Sequence, residues 1–292
     1  MRKGDEKKMN VSTLDTINNN HLQNALCESL NYAADYGREN GYKPFVTMLY
    51  GSQNYGLSTS ASDYDTKVIM LPTVETLVLK PHLWSKDIQT SWGLVNAKDY
   101  RAMLRNFFKG NINFVECLYT DGYKLYNEAN PKVKKLFDEL RNKRDWFSNS
   151  SPVRLAHMVL GMARQKYEGM LKETPRNKTD IQRYGYEPKQ LFHLVRLTYF
   201  LNDYLKHLDF GAALHPSNKE YLLSIKGGYF PYNKALEEAN DQLSKLEGYV
   251  QYAERFFNLG TESHKRREQE NFNILQEFMD DWTMKVFKEL IQ

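Results

Sequence analysis

The sequence is poor in cysteine: only Cys27 and Cys117 occur in 292 residues, far apart and without metal-ligand spacing. That scarcity excludes a disulfide-stapled secreted module and a Cys/His zinc site, and it implies reduced thiols in a reducing compartment. Long apolar runs are missing too. No stretch approaches the ~20 residues of a membrane helix, and the opening MRKGDEKKMN has no signal-peptide core, so a soluble, cytoplasmic protein is expected. Neither sign of charge dominates. Forty Lys+Arg against 36 Asp+Glu leave a net charge of +4, which suits an enzyme of anionic nucleotides but does not by itself imply nucleic-acid binding. There is no Walker A loop, no Gly-x-Gly-x-x-Gly fingerprint and no HExxH, which removes kinase-type, dinucleotide-binding and zincin readings. No internal repeat or low-complexity tract is visible.

What is present is material for a core, with 41% hydrophobic residues, and an unusual number of tyrosines, 20 in all. Tyrosine serves core edges and base-stacking surfaces equally well, so its abundance decides nothing. The first 18 residues are polar and charged and are expected to be flexible. From about Asn19 to Asn40 the spacing of Leu22, Ala25, Leu26, Leu30 and Ala33 predicts a helix ending at Gly41. FVTMLYG (45–51) and TKVIMLP (66–72) read as strands, IQTSWGLV (88–95) as a third strand and KDYRAMLRNFF (98–108) as a helix, while FVECLYTDGY (114–123) fits either state. Beyond residue 150 helical periodicity takes over. The expected organisation is therefore a catalytic α/β domain over 19–150 and an all-helical domain over 151–292.

The chemistry is concentrated in LYGSQNYGLSTSASDYDTKVIML, residues 49–71. A strand runs into Gly51-Ser52, and after a ten-residue gap (53–62) Asp63-Tyr64-Asp65 opens the next strand. Gly51 permits a tight turn whose amides can approach a phosphate, and Ser52 adds a hydroxyl donor. On a strand, residues i and i+2 point to one side, so Asp63 and Asp65 present two carboxylates together. Adjacent carboxylates repel unless a cation lies between them, and Mg²⁺ with substrate phosphates supplies one. A bare Asp-x-Asp is usually a pair of turn caps; strand, Gly-Ser, gap, Asp-x-Asp and strand in that order favour function. Farther on, Lys189, His193 and Arg196 fall at i, i+4 and i+7 on one helical face, a strip suited to a triphosphate or a nucleic-acid backbone.

The 49–71 stretch resembles the signature of the DNA polymerase β-like nucleotidyltransferase superfamily, and within it a group of predicted bacterial and phage nucleotidyltransferases, some tied to RNA repair. The group's Gly-Ser-x-x-Tyr-Gly-x-x-x-x-x-Ser-Asp-x-Asp pattern is matched by Gly51, Ser52, Tyr55, Gly56, Ser62, Asp63 and Asp65. KGNINFVECLYTD (109–121), GYEPKQLFHLVRL (185–197) and, more weakly, SNKEYLLSIKGGYF (217–230) resemble further motifs of that group. The resemblance implies an α+β fold: a mixed-sheet nucleotidyltransferase core followed by an all-helical C-terminal domain. It implies that Asp63 and Asp65 hold Mg²⁺ (or Mn²⁺), and that Gly51, Ser52, Tyr55, Lys189, His193 and Arg196 bind ATP or another NTP. An acceptor hydroxyl would then attack the α-phosphate with release of pyrophosphate.

Superfamily enzymes commonly carry a third carboxylate on a later strand, and IQTSWGLV contains none. Asp87 just before it and Asp99 just after it are the candidates, Asp99 slightly preferred from its match to the group, with Glu116 behind both. An RNA end is the expected acceptor, with Arg164, Lys166, Lys172, Tyr184 and Tyr186 as further contacts. A catalytically inactive nucleotide-binding module and a toxin-like enzyme that modifies protein are the alternatives.

Overall fold

The computed structural model describes residues 11–291 apart from 60, 61 and 81, with side chains from Asn19 onward. Of the stretch expected to be flexible, residues 1–10 lie outside the described residues; the backbone of 11–18 is helical. The first helix, α1 (Val11–Arg38), thus begins earlier than its apolar stripe. It leads through Gly41, which has φ +77°, into β1 (Tyr42–Leu49). The Gly51–Asp65 loop follows, then β2 (Thr66–Pro72) and the short α2 (Val74–Leu79), capped by the Thr73 hydroxyl.

The expected single strand over 88–95 is corrected to a hairpin: β3 (Ser85–Gln89) turns at 90–93 into β4 (Leu94–Asp99). Gly93 explains the difference. A Cβ there would lie 2.9 Å from the Tyr64 carbonyl group, so the turn packs onto the Asp63–Asp65 backbone only because position 93 has no side chain. Next come α3 (Tyr100–Phe108) and α4 (Ile112–Val115), then β5 (Tyr123–Leu125), so the ambiguous 114–123 segment divides between helical turns and a short strand. Two helices, α5 (Pro131–Asn142) and α6 (Arg144–Asn149), lead to α7 (Pro152–Leu171) and α8 (Lys178–Tyr184). The chain ends in α9 (Pro188–His207), α10 (Phe210–Ala213), α11 (Lys219–Lys226), α12 (Tyr232–Phe256) and α13 (Glu262–Val286).

The five strands form one mixed sheet in the order β3-β4-β2-β1-β5, with β2 and β4 parallel and the other pairs antiparallel. The β2 strand is buried along its whole length because both faces are covered, which is why TKVIML reads as a continuous apolar run rather than an alternating one. Val68 and Met70 join Val95, Ala97 and Ile88 against Leu30 and Ala33 of α1. Ile69 and Leu71 face the opposite way, into a larger core with Phe45, Tyr100 and Phe107. Trp282 of α13 is fully buried in that second core. Its ring lies 6.0 Å from that of Phe45 and its indole N–H donates to the Leu136 carbonyl at 2.8 Å, so the last long helix returns to brace the sheet.

Asp99 closes β4 and starts α3. Its side chain is fully buried and accepts hydrogen bonds from the Arg101 amide at 2.8 Å, the Arg101 guanidinium at 2.6 and 3.0 Å, and the Tyr42 hydroxyl at 2.9 Å. A helix cap and a partly buried ion pair coincide in one carboxylate. Asp99→Ala is expected to lower unfolding stability by about 3 kcal/mol. A urea midpoint within ~0.5 kcal/mol of wild type, the range of an ordinary surface change, would contradict that structural role.

Candidate active site

The loop between β1 and β2 doubles back on itself through backbone hydrogen bonds. The Tyr50 amide donates to the Asp65 carbonyl at 3.0 Å, so both ends of the loop meet at the sheet edge. Gly51 takes φ +81° and opens a single 3-10 turn over Gly51–Gln53, closed by the Asn54 amide on the Gly51 carbonyl at 2.9 Å. A side chain at 51 would meet nothing nearer than the Asp65 carboxylate at 3.9 Å; the demand for glycine there comes from the left-handed backbone rather than from crowding.

Asp63 and Asp65 flank the β3–β4 turn. The Tyr64 amide donates to the Trp92 carbonyl at 2.7 Å, and the Leu94 amide donates to Asp65 Oδ1 at 2.9 Å. One oxygen of Asp65 is therefore held by backbone while Oδ2 stays free. Asp63 is exposed, and among the described residues neither carboxylate has a salt-bridge partner. Two carboxylates without a salt-bridge partner among the described residues, in the loop that runs into β2, are a hard oxygen donor pair of the kind that Mg²⁺ takes together with phosphate oxygens. Among the described residues no third acid, His or Cys joins them in a metal-sized cluster.

The pair borders a cavity of about 500 Å³ between the sheet and α9. Gly51, Ser52 and Tyr55 line it from one side, and Lys189, His193 and Arg196 from the other. Structure thus brings together eight of the positions picked out in the sequence. Tyr55 itself is buried, with the Arg196 guanidinium 4.1 Å over its ring, so that face is not free to stack on a base. Lys166 and Tyr184 also reach this cavity.

Other candidates sit elsewhere. Asp99 points to the α1 face of the sheet, because it has the parity of Val95 and Ala97, whereas Asp65 lies beside Leu94 and faces the other way. Asp87 does share the face of Asp65, but it stands on the far side of β4, accepts from the Asn96 amide, and does not border the cavity. Arg164 turns outward to Glu247 on α12 at 2.8 Å. Tyr186 is fully buried with its hydroxyl on the Phe230 carbonyl, so it offers no stacking surface.

Two lysines in or beside the site were not picked out in the sequence. Lys226 of α11 reaches the loop, donating to Ser62 Oγ at 3.3 Å, and lines the cavity. No local pattern marks it, since α11 meets the loop only in the folded chain. Lys67 lies two residues past Asp65, on the same face, buried against the rings of Tyr50 (3.8 Å) and Phe114 (4.5 Å); its parity with Asp63 and Asp65 was a usable signal. Glu116, ranked last among the acids, borders the cavity with 1% exposure and neither oxygen hydrogen-bonded. Burial raises its pKa, and the Arg196 charge offsets part of that rise.

The cations are crowded. Burial lowers the pKa of Lys166 and of Lys226, and neighbouring Lys189 lowers both further. An unpaired positive cluster facing two free carboxylates is poised for an anion that bridges a metal on one side and ammonium groups on the other.

The model of the RNA repair pathway DNA polymerase beta family, RlaP, matches residues 35–209, from the end of α1 to just beyond α9. The chain belongs to that family. The match takes in the Gly51–Asp65 loop, the whole sheet and the α9 strip, and it makes the protein a nucleotidyltransferase of the polymerase β type with an α+β core and a helical C-terminal region. No curated protein matches the chain. Among solved structures, a nucleotidyltransferase-like protein from Exiguobacterium sibiricum 255-15 aligns at 12% identity over 86% of this chain and 88% of that one, with a TM-score of 0.30. That superposition is too loose to transfer any residue to the RlaP-family chain.

His193 stands among these cations, and its pKa is held well below 6.5 by burial, then by Arg196, Lys166, Lys189 and Lys226. Because the folded pKa is depressed, His193 contributes stability that is fully present above about pH 6.5 and lost as the pH falls through the folded value. Inorganic tripolyphosphate in the cavity should raise that pKa by replacing repulsion with attraction. Imidazole NMR titration is expected to show His193 neutral at pH 6 in the free protein, with an upward shift on adding tripolyphosphate. An ordinary titration near 6.5, unmoved by the anion, would contradict the cationic site.

Proposed function

We propose that the protein transfers a nucleoside monophosphate from an NTP to an acceptor hydroxyl, with Asp63 and Asp65 holding a divalent metal. The single observation that carries this reading is one cavity bordered by the Gly51-Ser52 turn, the free carboxylates of Asp63 and Asp65, and the unpaired cations Lys189, Arg196 and Lys226. Gly51 amide and Ser52 hydroxyl would orient the terminal phosphates, and the α9 cations would neutralise them from the opposite wall. Mg²⁺ or Mn²⁺ held by Asp63 and Asp65 would supply charge neutralisation and would make an acceptor hydroxyl more acidic. In the transfer, the acceptor oxygen bonds to the α-phosphorus, the bond from that phosphorus to pyrophosphate breaks, and the hydroxyl proton leaves to solvent. Membership of an RNA repair pathway family favours an RNA end as the acceptor. No helix of the described residues is long and apolar enough to cross a membrane.

A second reading, nucleotide binding without turnover, is favoured by the missing third acid beside the pair. Labelled NTP incubated with separate RNA and protein pools distinguishes the readings: transfer to RNA, transfer to protein, or retention without pyrophosphate. Asp63→Asn or Asp65→Asn is expected to lower pyrophosphate release on the order of 100-fold or more. Each should leave the apo fold equally or more stable, since like-charge repulsion is relieved, and should abolish metal-dependent thermal stabilisation. Near-wild-type release by either variant would remove these residues from the metal site.

A further inference from the structure

Asp63 and Asp65 border a second cavity, of about 440 Å³, that Gly51, Ser52, Tyr55, Glu116 and Arg196 do not line. Lys166, Lys189 and His193 form the wall common to both spaces. The carboxylate pair therefore stands at a partition, with the phosphate-binding turn on one side and a separate chamber on the other.

The second chamber is built by the segment between α7 and α8. Asn177 is 95% buried (5% exposed) and latches that segment at four points. Its Oδ1 accepts from the Thr174 amide at 2.7 Å and the Thr174 hydroxyl at 2.9 Å, while its Nδ2 donates to the Lys172 carbonyl at 3.0 Å and to Glu187 at 2.6 Å. From this braced loop Lys172 and Arg176 are displayed into the chamber, both exposed and, among the described residues, neither paired with an acid. Independently, Gln190 lines the same chamber with a buried side-chain oxygen that has no hydrogen-bond partner. Among the described residues Leu94 is the one large apolar side chain in the lining, and His193 is the only aromatic ring that borders it, with no Phe, Tyr or Trp.

We infer that this second chamber receives the acceptor: the sugar-phosphate end of a nucleic-acid strand, its last phosphates on Lys172 and Arg176 and a ribose hydroxyl on Gln190. The inference rests on the nucleotidyl-transfer reading above. In-line attack needs the nucleophile to arrive on the side of the α-phosphate opposite the leaving pyrophosphate, and the chamber lies across the carboxylate pair from the turn that would hold that leaving group. Its lining selects the chemistry. Two fixed cations recognise phosphates. A buried amide oxygen without a partner calls for a hydrogen-bond donor, which a hydroxyl supplies. With no Phe, Tyr or Trp ring and only the His193 imidazole in the shared wall, the chamber has no broad platform for base stacking, so recognition is mainly through backbone and sugar and is independent of base identity. A peptide acceptor would meet few apolar contacts there.

The test uses the full chain, a 5′-labelled single-stranded oligoribonucleotide with a free 3′ hydroxyl, its deoxyribonucleotide counterpart, and NTP with Mg²⁺. Lys172→Glu combined with Arg176→Glu is expected to weaken oligonucleotide binding at least 10-fold at low salt. The milder double alanine variant should flatten the dependence of log affinity on log salt by ~1.4, at ~0.7 per lost single-strand phosphate contact. Thermal stabilisation by NTP and Mg²⁺ should stay as in wild type for both. Gln190→Ala should remove a several-fold preference for the ribose-ended strand. Oligonucleotide affinity unchanged in both double variants overturns the inference, as does α-labelled NTP extending the strand as fast in the variants as in wild type. Equal affinity of wild type for the two strand types overturns the role of Gln190. Pyrophosphate release by wild type, with Asp63→Asn as the control, separates the cases: release without strand binding sinks only the acceptor assignment, and absence of release from wild type sinks the transfer reading beneath it.

Discussion

A strand covered on both faces has no freedom of register. If β2 slipped by one residue, Lys67 would turn into the α1 interface, and Val68 and Met70 would leave it. The cost of burying that ammonium without a partner, added to the loss of apolar burial, holds the strand in one phase. Everything in the site inherits that phase. Asp63, Asp65 and Lys67 fall on the face turned towards α9, and the parallel neighbour β4 places Leu94 and Asn96 beside them while sending Asp99 to the other side. The same parity explains why an acid at the end of β4 caps a helix instead of facing the carboxylate pair.

Charge balance across the partition is the second organising feature. Acids and bases are not paired locally. Among the described residues Asp63 and Asp65 have no salt-bridge partner, nor have Lys189, Lys226 and Arg196, on facing walls of one cavity. Burial, and after it the neighbouring cations, lower the pKa of Lys166, Lys226 and His193. Such separation costs stability in the empty protein and is relieved by a metal on one wall and an anion on the other, which is the arrangement that a triphosphate with its cation satisfies. The helical region contributes the whole positive wall, so sheet and helices share one site. Trp282 and the continuous core between them hold the two walls at a fixed spacing.

Local pattern carried much of this. Glycine before serine after an apolar strand, two aspartates at i and i+2, and three polar residues at i, i+4 and i+7 are patterns that survive in an isolated segment, and all seven positions meet at one cavity. The apolar spacing of α1, α7, α9 and α12 was equally legible, because an amphipathic helix writes its buried face at a period of 3.6. The β3–β4 hairpin was not, because WG at 92–93 is a weak turn signal on its own; glycine is demanded there by the backbone of Tyr64, which arrives from another strand.

What the sequence by itself determined was the kind of chemistry and the segments that carry it: a turn able to hold phosphate, a carboxylate pair on one side of a strand, and a cationic helical stripe. Tertiary structure alone decided which acids and bases share a space. Asp99 and Glu116 were both candidates for the third acid, yet one is spent on Arg101 and Tyr42 while the other is buried at the cavity wall. Lys226 joins the site from α11, and the 172–177 segment supplies a second chamber, because long-range packing brings them there. Electrostatic fate depends on distance through the folded molecule, and a linear pattern records distance only along the chain.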